Sequence, residues 1–201
     1  MEIEQIEKGN LKGIIYQDSD CESPRIWDNL GKIVAFHGKY ELGDKTKLQL
    51  EEFNSWQELH EHLISQKNAI TILPIFLYDH SGLRIKVGSF QGLLPQGHAE
   101  FDSEQIGFIY ADKESVQKEL GIKKITNKVI QKVTRILEAE IDTYDRFLSG
   151  NIFGFRIIKT KPPCKCCGTE QTEEIDSCWG YYGFENVIKE VKERLGIKEC
   201  D

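Results

Sequence analysis

The chain has no apolar run long enough to cross a bilayer. Its most hydrophobic stretch, around Ile70 to Tyr78, falls well short of the roughly 20 residues a membrane helix needs. The start, Met1-Glu2-Ile3-Glu4-Gln5, lacks the basic head and apolar body of an export signal. It has no excess of positive charge either. With 26 Lys and Arg against 33 Asp and Glu the formal net charge is −7, which disfavours broad phosphate contact, because such contact depends on cationic side chains displacing counterions. No repeat or low-complexity tract interrupts the sequence. These absences leave a cytoplasmic globular protein with no membrane partner, for which nucleic acid is a poor main partner and a basic protein surface a better one.

What is present fits that class. Hydrophobic residues make up 39% and charged residues 29% of 201 positions, enough to build a core. The expected organisation is a single α+β domain over residues 1–201, with a Cys-rich turn at 162–178. Period-two alternation predicts strands at Leu11–Tyr16 and Lys32–His37, and the pattern Ile70–Tyr78, Asp79-His80-Ser81-Gly82, Leu83–Val87 reads as a hairpin. Pro74 cannot donate to a ladder, so it requires a sheet edge or a bulge. A loop holding Gly88, Gly92, Pro95 and Gly97, long enough for a lid, leads to a strand at Gln105–Tyr110. Asn54 or Ser55, Asp112 and Thr126 are helix caps. The long helix after Thr126 carries Val129, Val133, Ile136, Leu137, Ile141, Tyr144 and Leu148 on one face. A strand from Ile152, the Cys-rich turn, a strand or turn near Ile175–Tyr182 and a helix from Glu185 to Leu195 complete the chain. Short connections outnumber parallel crossovers, so the expected architecture is a mainly antiparallel sheet with helices packed largely on one face.

Four constellations bear on chemistry. Cys164 and Cys167, followed by Gly168, have the spacing of a zinc knuckle. Cys178 is the expected third ligand, and Cys200, Cys21, Cys166 and His98 are the candidates for a fourth. Zinc is thus the candidate cofactor, against a plain turn with reduced thiols. Asp18, Asp20 and Glu22 follow a strand and can gather on one side of an extended segment to hold a hard cation; with His80 or Asp102 they would form a metal-dependent hydrolase or nuclease site. The EF-hand pattern fails there for want of its glycine and its final acid, and a solvated loop is the competing reading. Lys124, Lys128, Lys132 and Arg135 form a basic stripe early in the long helix, against the sense of the macrodipole; the stripe is either a solvated face or a partner-binding one. Trp179 and Tyr181 sit in an aromatic cluster, Trp179-Gly180-Tyr181-Tyr182-Gly183, beside Cys178; they serve as core cover or as binding residues. His60 and His62, two apart on a helix, face away from each other and do not make a metal pair.

Asp20-Cys21-Glu22-Ser23-Pro24-Arg25 with Trp27-Asp28-Asn29, Tyr78-Asp79-His80-Ser81-Gly82, Gln105–Tyr110 and Asp176-Ser177-Cys178-Trp179-Gly180 together resemble a group of uncharacterised proteins carried by bacteriophages and other mobile elements. The resemblance spans about residues 18 to 183 and transfers no activity. It implies a noncatalytic, inhibitor-like accessory protein that binds a host or defence-system protein. A metal-dependent hydrolase and a small zinc-stabilised binding module are the alternatives.

Overall fold

The computed structural model describes residues 1–80, 82–93 and 102–197. In chain order the strands are β1 (Glu2–Lys8), β2 (Leu11–Gln17), β3 (Lys32–Ala35), β4 (Ala69–Asp79), β5 (Leu83–Val87), β6 (Ser103–Asp112), β7 (Ile152–Lys161) and β8 (Gln171–Tyr182). The α-helices among the described residues are α1 (Trp56–Lys67), α2 (Lys113–Leu120), α3 (Asn127–Leu148) and α4 (Phe184–Arg194). The fold is α+β with two antiparallel sheets. The chain, expected to form one domain, divides into two compact units. Met1–Glu22 with Gly150–Asp201 forms one, and Ser23–Ser149 forms the other. Among the described residues no helix is long and apolar enough to cross a membrane.

The first unit is a four-stranded sheet in the order β1-β2-β7-β8. Alternation sends Ile15, Phe153, Phe155 and Ile157 to one face, where they meet Val187, Val191 and Leu195. Residues 187 and 191 are one helical turn apart, so α4 lays a single apolar stripe on the sheet. Gly13 permits the close approach: a Cβ there would stand 2.4 Å from a Val191 methyl. Full burial of side chains of this size contributes about 1.5–3 kcal/mol each, and this cluster is what holds the unit together.

The second unit has the order β3-β6-β4-β5. Residues 106–111 of β6 are all buried because both faces of that central strand are covered. Ile33, Ile75, Leu77 and Ile109 pack with Val133, Leu137 and Ile141 of α3. The alternate residues Val34, Phe108 and Tyr110 pack with Leu59 and Leu63 of α1. Pro74 lies on an inner strand, yet it falls just before the pairing with β5 begins at Ile75 and next to a ladder irregularity between Ile75 and Phe76; the bulge alternative is the one realised. The caps are as expected: Ser55 accepts from the Glu58 N–H, Asp112 from Ser115 and Thr126 from Val129. Arg25 ties the segment before β3 to α3. Its guanidinium donates to both Asp44 oxygens (3.1 and 2.7 Å), to Glu140 (3.4 Å) and to the Gly31 carbonyl (2.8 Å).

Candidate metal centre and neighbouring polar clusters

Pro162 and Pro163 follow the last residue of β7 and cannot donate to a ladder, so the chain leaves the sheet there. It returns at Gln171. The intervening turn is closed by two backbone hydrogen bonds, Gly168 N–H to the Cys164 carbonyl (2.8 Å) and Cys164 N–H to the Thr169 carbonyl (2.9 Å). Gly168 takes φ +70°, a left-handed conformation suited to glycine. This closure gathers three sulfurs: the Sγ atoms of Cys164, Cys166 and Cys167 all lie within 4.8 Å of one another. Cys164 is half-buried, whereas Cys166 and Cys167 are exposed. The Cys164 and Cys166 sulfurs stand 2.8 Å apart, and Cys167 Sγ meets Thr169 Oγ1 at 3.0 Å. The Cys166 thiol, helped by the backbone N–H groups of Cys166 and Cys167, holds Cys164 down to about 7, while Cys166 is pushed up by the same partnership. Thr169 lowers Cys167. Cys164 and Cys167 are thus biased toward thiolate, the form that ligates metal, whereas Cys166 in this pairing keeps its proton more tightly.

A metal–sulfur bond near 2.3 Å sets sulfur–sulfur separations of about 3.8 Å in a tetrahedron and about 4.0 Å in a trigonal plane. The trio fits an ion after Cys164 and Cys166 part by about 1 Å. Among the described residues it is the one group of three or more His, Cys, Asp or Glu side chains close enough to share an ion. The third sulfur is thus Cys166, and Cys178 is not part of the group. The reason is reach: Cys178 sits seven residues into β8 from Gln171, about 24 Å along a strand at ~3.4 Å per residue. There it faces Phe155 across the ladder. Cys21 is remote too, for its sulfur lies 3.8 Å from the Asp18 carbonyl, and Asp18 meets Gly180 at the far end of β8. His98 and Cys200 lie outside the described residues.

The acidic loop is tied locally and to β8. Asp18 accepts from Asp20 N–H on one oxygen and from Gly180 N–H on the other, both at 3.2 Å. Glu22 receives the Tyr182 hydroxyl through its carbonyl (3.4 Å). Asp18, Asp20 and Glu22 do not converge within ligating distance. His80 and Asp102 belong to the other unit and face each other there, Nδ1 to Oδ2 at 3.5 Å; Ser81 lies outside the described residues.

Near that pair the second unit has a groove of about 970 Å³, with Phe36, His37, Tyr40, Leu48, Trp56 and Glu104 among its walls. His37 Nε2 faces Glu104 at 3.3 Å, and its Nδ1 accepts the Lys39 N–H at 3.2 Å. The imidazole stacks on Tyr40 at 5.1 Å and 7°. Tyr40 in turn donates to Asp79 at 3.0 Å, which with Lys39 3.3 Å away outweighs burial and lowers Asp79. No sequence motif announced this cluster, because its members come from three separate segments.

Lys124, just before α3, and Lys128, Lys132 and Arg135 in its first half are exposed, and the last three edge a shallow depression of about 300 Å³. Trp179 and Tyr181, two apart on β8, do not share a face. Gly180 at φ +81° and an irregular ladder opposite Phe153–Phe155 break the alternation. Trp179, 49% exposed, lies over Gly154, whereas Tyr181 packs toward Phe155. Burial and Cys178 push the Tyr181 hydroxyl well above the usual phenol range.

No family model, no curated protein and no solved structure matches this chain.

Proposed function

We propose that the chain is a noncatalytic binding protein whose β7–β8 hairpin takes a metal ion through Cys164, Cys166 and Cys167 and, so braced, presents β8 to a protein partner. The observation that carries this reading is the convergence of three sulfurs within 4.8 Å at one closed turn. Thiolates select ions such as zinc and monovalent copper, and a reducing cytoplasm keeps them available. A basic surface on a host or defence-system protein is the partner class that the net charge of −7 supports. Ile175 and Trp179, each about half exposed on β8, supply the apolar contact such a surface needs.

The test is metal analysis of reduced protein purified without chelator, with limited proteolysis of the hairpin before and after chelation. One ion per chain, a hairpin cut faster once the ion is stripped, and loss of both effects in Cys164→Ser are expected. Metal-free protein that takes up no added zinc or copper, with cleavage indifferent to chelator, refutes the proposal.

A further inference from the structure

We infer that the hairpin is built for a soft ion of low coordination number, monovalent copper, rather than for tetrahedral zinc. This rests on the proposal that the hairpin takes a metal at all, and specifies which. All three sulfurs come from the four consecutive residues 164–167, so one short turn supplies every donor of the group. A structural zinc site adds a fourth protein ligand to such a trio. Among its described residues, the unit holding the hairpin adds no further His, Cys, Asp or Glu to this group. Its residues, 1–22 and 150–201, include no histidine, since all five lie at positions 37, 60, 62, 80 and 98. Cys178 and Cys21 sit toward the far end of the hairpin. Soft thiolates alone satisfy copper(I), which does not require a fourth donor. Two of the three sulfurs are exposed, so the negative charge left on a copper(I) trithiolate faces water, where it is solvated rather than buried.

Binding couples to proton release, as each thiol that enters the site gives up its proton to solvent. No electron transfer is involved, because copper is supplied already as copper(I) under a thiol-free reductant.

The experiment uses the reduced full chain. Copper(I) is titrated in competition with bicinchoninate and zinc(II) in competition with a chromophoric chelator, for the parent and for the Cys166→Ser and Cys200→Ser variants. Far-UV circular dichroism checks that each variant is folded. The expected result is one copper(I) per chain, not displaced by excess zinc and unaffected by Cys200→Ser. Cys166→Ser should weaken it by at least roughly tenfold, since even outer-shell partners of a metal contribute 10- to 100-fold. X-ray absorption of the copper-loaded chain should show three sulfur neighbours. Zinc displacing copper, a fourth sulfur, or loss of metal in Cys200→Ser overturns the choice of ion while leaving a metal site standing. Failure of both ions to bind overturns the inference together with the proposal beneath it.

Discussion

Replacing Arg25 by Met removes a nearly buried cation, 11% exposed at its side chain, from between two carboxylates that are 30% and 13% exposed. Breaking a buried pair by deleting one partner costs about 3–5 kcal/mol. Two features pull the value toward the lower end. Asp44 keeps the Ile33 N–H (2.7 Å), and Glu140 keeps the Leu30 and Gly31 N–H groups, so neither acid is stranded. A loss of about 3 kcal/mol is expected, which at a urea slope of about 1.5 kcal/mol/M moves the midpoint by about 2 M. The loss depends on pH with a definite sign. Burial already raises Glu140 above the usual carboxylate range, opposed by the two backbone N–H groups and by Arg25. Without Arg25 it rises further, so the folded state binds protons the unfolded state does not. Stability then falls as pH increases through that raised value. The variant should be nearer to the parent at pH 5 than at pH 8. Urea titration in a Trp179→Phe background isolates this unit, since Trp27 and Trp56 both lie in Ser23–Ser149. A midpoint shift under about 0.5 M, or an equal shift at both pH values, refutes the reasoning.

The remaining predictions are read the same way. Gly107→Ala places a Cβ 1.9 Å from the Val34 carbonyl and should cost about 3 kcal/mol or force β3 off β6, measured by denaturation and by amide exchange of Ile33–Ala35. Gly154→Ala meets the Trp179 ring at 2.1 Å, but that ring is half exposed and can move; the expected result is a changed Trp179 fluorescence with a stability loss below about 1.5 kcal/mol. Leu137→Ala, at a fully buried position, should cost about 2–5 kcal/mol in chemical denaturation. Asp112 is pushed up by burial, but Lys32 and Ser115 outweigh this and hold it at about 2, below its ordinary 3.8. Its contribution is therefore present above pH 3.8 and lost as pH falls through 2. Asp112→Asn should cost about 1–2 kcal/mol at neutral pH, after allowance for screening of the exposed Lys32 partner, and little at pH 2.

Much of the fold was legible because it is local. Thr126, Asp112 and Ser55 cap helices by bonding backbone three residues on, and Gly121 ends α2 at φ +62°; such signals need no knowledge of distant residues. β1 was not legible. Ile3 and Ile6 in Glu-Ile-Glu-Gln-Ile-Glu-Lys do not alternate, and a charged edge strand guards against pairing with other chains rather than advertising itself. The pairing of β2 with β7, which brings Gln17 opposite Phe153, lies beyond any local window. The thiol site was legible in part. C-x2-C marks the turn, but the choice between Cys166 and Cys178 depends on where β8 begins, and reading that strand from about Ile175 rather than Gln171 placed Cys178 too near. The cluster of His37 and Tyr40 with Asp79 and Glu104 left no trace in the sequence, because it joins the loop after β3 to β4 and β6, segments far apart along the chain.

The insertion of one compact unit within the other also has a kinetic consequence. Pairing Gln17 with Phe153 in an otherwise unfolded chain closes a loop of well over a hundred residues, with a length-dependent entropy cost of about 4 kcal/mol, against about 2 kcal/mol for the β7–β8 hairpin. If Ser23–Ser149 folds first, most of that loop is already compact and the β2–β7 encounter becomes a short search. The long insertion then acts as a chaperoning spacer in cis, and the N-terminal hairpin waits for it, so the rate at which the thiol-bearing sheet is completed is governed by residues that the sheet does not contain.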